Sequence, residues 1–272
     1  MKFYDSEAFR RIGTLISVLG FLFILSLTGN LFSPSNLPDL KKKEHTIPLT
    51  SFVKIETVID LTVTECEESA NEEVDCVSRT ERERPNMASG VVIDENRIIT
   101  AGHVCMSMVT TGTQVKLFEL LELNGDGKPK GSITLSTEAI DFHGKRHAVE
   151  ILTMSPISDL CVLSAPTISV DAVPIASQMP TQGSRIYNIA APHGMFAPGM
   201  SLIFEGYYAG DDWDGDTWFT FPAAPGSSGS PIFNENGELI GIVTMASEEF
   251  EHIAIGSDVK RVRTLLSTDQ SG

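Results

Sequence analysis

From Leu49 onward the chain is built of short runs in which apolar and polar residues alternate or switch. "SFVKIETVIDLTV" (51–63) alternates in part, and "SGVVID" and "RIITAGH" are two apolar runs about a tight polar turn, the pattern of a β-hairpin. "LELNGDGKPKGSITL" repeats that pattern, with Asn124-Gly125 and Asp126-Gly127 each able to supply the positive φ angles of a hairpin turn. No stretch before Ser257 carries a long helical period. After it, "SDVKRVRTLLS" sets Val259, Val262, Leu265 and Leu266 on one face, with Ser257 or Asp258 placed to cap the start. Many short strands and one terminal helix predict an all-β domain of barrels or sandwiches.

One segment breaks the pattern. Ile12 to Phe32 lies in an uncharged run that reaches Pro38, and about 20 apolar residues span a bilayer as a helix. An N-terminal transmembrane anchor is therefore expected, with a cleaved signal peptide as the alternative; small-x-small sites near Thr28, Gly29 and Ser33 are poor. Lys2, Arg10 and Arg11 before the segment are matched by Lys41, Lys42 and Lys43 after it, which leaves its orientation open. The organisation expected is a tail (1–11), an anchor or signal (12–32), a linker rich in proline and charge (33–48) and one domain (49–268).

Of the 272 residues, 42% are hydrophobic and 21% charged, ordinary values for a chain that buries a core. The net charge of -16 argues against nucleic acid and anionic lipid as partners of the domain. Two of the four cysteines, Cys66 and Cys76, flank "EESANEEVD", too polar to pack by itself. A disulfide closing so short a loop contributes about 2.5 to 3 kcal/mol on the chain-entropy estimate. An even cysteine count behind an export-like segment points to an oxidising compartment, the periplasm or the outside of the cell.

"PAAPGSSGSPIF" (222–233) holds three serines and two glycines between a proline and an apolar run. A serine nucleophile needs a base, a group to orient that base, and backbone N–H donors in a turn with little side-chain bulk. "GSSGSP" meets the last demand, and "IFNENGELIGIVT", two strands about Asn236-Gly237, offers rigid support. Among six histidines His103 ends an apolar strand in "RIITAGHVC", whereas His143 and His147 flank "GKR" in a polar turn and read as solvated. Asp159 in "SPISDLCVLSAP" is the matching acid, anchored and buried by Leu160, Val162 and Leu163.

"TAGHVC", "SDLCVL" and "PGSSGSPIFNENGELIGIVT", in that order, resemble the His, Asp and Ser blocks of trypsin-like serine proteases, and within them the HtrA/Deg-type and glutamyl endopeptidase branches. "RIYNIAAPHG" and "IAIGSDVKRV" resemble the opening of the second barrel and its exit into the terminal helix. The likeness covers about residues 49 to 268. It implies two six-stranded antiparallel β-barrels, about Leu49–Ala165 and Gly183–Gly256, joined by "PTISVDAVPIASQMPTQ", with a C-terminal helix. It also implies a serine endopeptidase acting on polypeptides without a cofactor.

Carried over residue by residue, the resemblance makes Ser228 the nucleophile, His103 the general base and acid, and Asp159 the group that fixes its tautomer. The N–H groups of Gly226 and Ser228 form the oxyanion hole, and Thr244, Met245 and Ala246 pair with substrate backbone. Cys105 and Cys161, each two residues beyond a catalytic position, become disulfide partners if His103 and Asp159 touch. Ser227 replaces the Asp that pairs with a freshly cut N-terminus in digestive enzymes, so activation by that route is not expected. "GIVTMA" lacks the histidine of glutamyl endopeptidases, Ala190 and Ala191 stand where glycine is common, and no PDZ domain is expected after the barrel. Ala223, Ala224 and Met245 point to a small or medium apolar residue at the cut.

"GDDWDGDTW" (210–218) fails as a calcium loop, because counting from Asp212 puts Thr217 at the sixth position and Ala223 at the twelfth; no metal is expected there. The rival to an enzyme is a protease-like module that binds peptides without cutting them. An α/β-hydrolase is excluded by the order His, Asp, Ser and by Ser230 in the elbow.

Overall fold

The computed structural model describes residues 47–68, 74–123, 131–247 and 249–269. The expected anchor at Ile12–Phe32 and the Asn124-Gly125 turn lie outside them. Among the described residues no helix is long and apolar enough to cross a membrane.

After a 3-10 turn at Leu49–Ser51 the N-terminal lobe runs β1 (Phe52–Glu68), β2 (Val74–Val92), β3 (Arg97–Ala101), α1 (Gly102–Leu123), β4 (Gly131–Asp141), β5 (Arg146–Ala148), β6 (Glu150–Ser155) and β7 (Leu160–Ser164). The C-terminal lobe runs β8 (Arg185–Ala190), a 3-10 turn at Pro192–Gly194, β9 (Leu202–Asp211), β10 (Thr217–Phe219), β11 (Pro231–Phe233), β12 (Leu239–Ala246), β13 (Ala254–Asp258) and α2 (Val259–Asp269). Its strands close into a barrel, β10-β13-β12-β11-β8-β9, the six expected.

The N-terminal lobe differs from the six-stranded barrel expected. It is a half-barrel, a seven-stranded sheet in the order β5-β4-β1-β2-β3-β7-β6. Its edges, β5 and β6, are consecutive in the chain and separated by Val149 alone, whose N–H donates to the Thr137 carbonyl at 3.2 Å. One extended segment thus serves β4 at one end and β7 at the other, so its halves count as two edges.

Unbroken apolar runs account for most of the short strands, with β3, β8, β11 and β13 buried along nearly their whole length. β7 is buried along Leu160–Leu163, while β9 buries every second residue near Tyr208. The helix α1 is a correction to the absence of helix before Ser257. Leu121–Leu123, expected in a hairpin strand, end that helix. Its apolar residues are spread around the axis, so no stripe marks it, and its first N–H groups are capped from the turn that precedes β7. Gly102 N–H donates to the Asp159 carbonyl at 2.8 Å and His103 N–H to Asp159 Oδ1 at 2.7 Å. The terminal helix is as expected, and Asp258 is its cap, accepting the Arg261 N–H at 2.9 Å.

One apolar cluster joins the lobes, with Phe52, Val91, Ile99 and Leu160 packed among Tyr187, Ile189, Phe233 and Ile242. The linker is stitched into this seam, with Val173 N–H on the Val92 carbonyl and Ala176 N–H on the Leu239 carbonyl, both at 3.0 Å. The seam therefore holds the end of β3 against the β10–β11 connection.

Candidate active site

His103 opens α1 where β3 ends, and Asp159 sits in the turn before β7. β3 and β7 are antiparallel neighbours with Ala101 opposite Leu160, so Gly102 meets Asp159 just past this pair and His103, one residue on, is brought within its reach. His103 Nδ1 lies 2.8 Å from Asp159 Oδ2 while the backbone N–H of His103 holds Oδ1. Asp159 adopts φ of +47°, a left-handed conformation that Asp tolerates better than most residues. That twist brings its carbonyl and both carboxylate oxygens onto the start of α1. Asp159 was expected to be buried; its side chain is instead 36% exposed, and that of His103 48%. Both side chains reach solvent, and two hydrogen bonds do the orienting that burial was expected to do.

Cys105 and Cys161 form a disulfide, both fully buried directly behind the pair. The register places Cys66 opposite Cys76 on β1 and β2; the side chains there lie outside the described residues. His147, expected in solvent, is 1% exposed. It lies on a buried strand face, with Nε2 2.9 Å from Asp141 Oδ2 and Nδ1 3.0 Å from Thr167 Oγ1. Burial alone would raise the Asp141 carboxyl, but the hydrogen bonds from His147 and the Lys145 and His143 backbone N–H groups outweigh it and hold the group below the usual carboxylate range.

Ser228 is partly exposed on the turn between β10 and β11. Its neighbour Gly229 presses on the end of β3: a Cβ there would come within 2.1 Å of Thr100 Oγ1 and 3.0 Å of Ala101 N. The nucleophile candidate is thereby carried to the residues that immediately precede His103. Across the same turn the Pro225 carbonyl accepts the His193 N–H at 2.6 Å. In a trans peptide C=O and N–H point opposite ways, so the N–H of Gly226 faces away from His193. Among the described residues the N–H groups of Gly226 and Ser228 donate to no backbone carbonyl. Ser227 is buried, and its hydroxyl accepts the Ala224 N–H at 3.2 Å, closing the turn locally.

Thr244, Met245 and Ala246 end β12. Val243 N–H still reaches the Ser230 carbonyl at 2.9 Å, but beyond it this edge pairs with no strand of the described residues. Met245 is exposed. The aspartate loop satisfies itself: Asp212 Oδ1 accepts the N–H groups of Asp214 and Asp216, and Oδ2 the Trp218 indole N–H at 2.8 Å. Among the described residues no acidic, histidine or cysteine cluster could hold a metal.

Sequence reasoning did not find Ser89 and Thr100. Ser89, fully buried on β2, donates its N–H to the Ser228 carbonyl at 2.8 Å and receives Thr100 Oγ1 on its own carbonyl at 2.8 Å. The one available signal was the small pair Ser89-Gly90 at the head of an apolar run.

Several solved structures share this fold. The serine endoprotease from Yersinia pestis superposes with a TM-score of 0.57 at 15% identity, covering 86% of this chain and 68% of its own. The active form of the Rv3671c protease from M. tuberculosis gives 0.54 at 15% identity over 85% of this chain and 86% of its own. An inactive form of the same protease gives 0.54 at 14%, over 81% and 89%. No curated protein matches the sequence. The sequence does match the trypsin-like peptidase domain over residues 88–242, more than half of the 272, and the chain belongs to that family.

Proposed function

We propose that the protein is a serine endopeptidase in which Ser228, His103 and Asp159 act as nucleophile, base and orienting acid. The observation that carries this reading is the doubly bonded pair of His103 and Asp159. With Nδ1–H donating to the carboxylate, Nε2 holds the lone pair that takes the Ser228 proton as Oγ attacks a peptide carbonyl. His103 then returns that proton to the departing amine, and a water repeats the cycle on the acyl-enzyme. The negative oxygen of each tetrahedral intermediate is received by the unengaged N–H groups of Gly226 and Ser228, each worth about 3 kcal/mol or more.

Substrate backbone adds as a strand to the open edge at Thr244–Ala246. Ala223 and Ala224 beside the turn favour a small or medium apolar residue before the cut. Residues 12–32 anchor the enzyme, and the domain works in an oxidising compartment, consistent with the disulfide behind the site.

The test is labelling of residues 43–272 with a fluorophosphonate probe beside Ser228→Ala and His103→Ala. Labelling lost in both variants supports the reading. A folded, oxidised protein that takes no label contradicts it and favours a peptide-binding module.

A further inference from the structure

We infer that Ser89 is a positioning residue that latches the oxyanion turn to the N-terminal lobe through its side-chain hydroxyl. The inference rests on the reading of Gly226 and Ser228 as the oxyanion donors and assigns a role to a residue outside the triad. Ser89 Oγ donates to the Gly226 carbonyl at 2.8 Å and accepts the Ala191 N–H at 3.1 Å, with the residue fully buried. One hydroxyl thus bonds to the nucleophile turn and to the loop that ends β8, two segments of the C-terminal barrel, from a strand of the other lobe.

The consequence for the donors is geometric. The Pro225 carbonyl is held by His193 N–H and the Gly226 carbonyl by Ser89 Oγ. Two successive carbonyls with fixed directions fix both peptide planes, and the Gly226 N–H belongs to the first of them. Gly226 has φ of +97°, and glycine alone gives no steric resistance to a flip of this peptide. The resistance comes from the latch. A flip of the first plane would turn the Pro225 carbonyl toward the cleft and withdraw the N–H. The Ala191 bond closes the circuit, because it fixes the Ala191–Gly194 turn that presents the His193 N–H.

The latch is read by comparing wild type and Ser89→Ala in the full-length protein by amide hydrogen exchange and by peptide cleavage. Loss of the hydroxyl is expected to speed exchange at His193 and Ser227 about tenfold or more, with the Val53 and Ile55 amides of β1 unchanged. It is expected to lower kcat about 10- to 100-fold with KM within about twofold, because the donors act on the transition state more than on bound substrate. Unchanged exchange at His193 and Ser227 would overturn the latch. So would a fall in kcat matched by equal acceleration of the β1 amides, which would mark general destabilisation. Ser89→Cys, close in volume with a weaker donor, is read the same way if the alanine variant does not fold, with a smaller shift expected. A wild type without peptidase activity would defeat the protease reading, while the exchange comparison would still decide whether Ser89 holds the turn.

Discussion

Asp159 bonds to His103 twice, through its backbone N–H and through its ring Nδ1, using the two oxygens of one carboxylate at 2.7 and 2.8 Å. Asp159 therefore caps the helix that carries His103 as well as orienting its ring. In Asp159→Asn one oxygen can still cap α1, but the NH2 group cannot accept from Nδ1–H and would favour the wrong tautomer. The expected result is a fall in kcat of about 10³- to 10⁴-fold with a nearly unchanged melting temperature. Steady-state kinetics and thermal melts on the same preparations check it. Asp159→Ala is expected to lose stability as well, about 1 kcal/mol, because the cap goes with the charge.

The disulfide of Cys105 and Cys161 ties the first turn of α1 to β7 behind that pair, across 56 residues of chain. A loop of that length implies about 4 kcal/mol on the chain-entropy estimate. The double variant Cys105→Ala with Cys161→Ala is therefore expected to unfold at markedly lower urea concentration. Its loss of activity should exceed its unfolded fraction, because the restraint acts on the two elements that bear His103 and Asp159. Urea unfolding followed by fluorescence, with activity measured well below the transition, separates the two effects.

Buried Asp141 gives the acid side of the stability profile a specific origin. Its folded-state value lies below the ordinary carboxylate range, held there by His147 and two backbone N–H groups against the opposing effect of burial. A depressed carboxylate contributes stability that is complete above the unfolded-state value and is lost as pH falls through the folded one. Asp141→Asn is expected to cost about 2 kcal/mol at neutral pH. Its unfolding free energy should then decline less steeply than that of wild type below about pH 5. Parallel urea titrations between neutral pH and pH 3 check both slopes.

Several strands and the close turn at "PGSSGSP" were legible because they depend on local pattern. Partial alternation marks β1, an unbroken apolar run marks β7, and the small residues of "PGSSGSP" mark a turn that must approach other backbone closely. What stayed hidden depends on contacts between distant residues. The helix α1 has no apolar stripe and takes its cap from Asp159, so neither of the usual signals lies within it. His147 follows "GKR" and reads as solvated, yet Asp141 and Thr167 enclose it. Ser89 is one serine before a glycine, and only the folded lobes reveal that its hydroxyl meets Gly226 and Ala191. The half-barrel turns on Val149, a single residue whose N–H bonds to Thr137 where strand pairing changes partner.

Gly229 is a point of close approach between the turn and the N-terminal lobe. Its φ of +84° is one that side chains rarely adopt, and a Cβ there would sit 2.1 Å from both the Ser89 carbonyl and Thr100 Oγ1. Thr100 Oγ1 cannot yield without losing its bond to that same carbonyl, and the carbonyl cannot yield without moving Ser89 N–H from Ser228. In Gly229→Ala the clash must therefore be relieved by pushing the Ser228 turn away from β3. The expected cost is more than about 3 kcal/mol, the sum of left-handed strain and a displaced buried contact. Any folded fraction is expected to fail to label with the fluorophosphonate probe, since Ser228 moves with the turn while His103 stays on α1. A variant that folds with wild-type stability and labels normally would show that the turn has room the close contact denies.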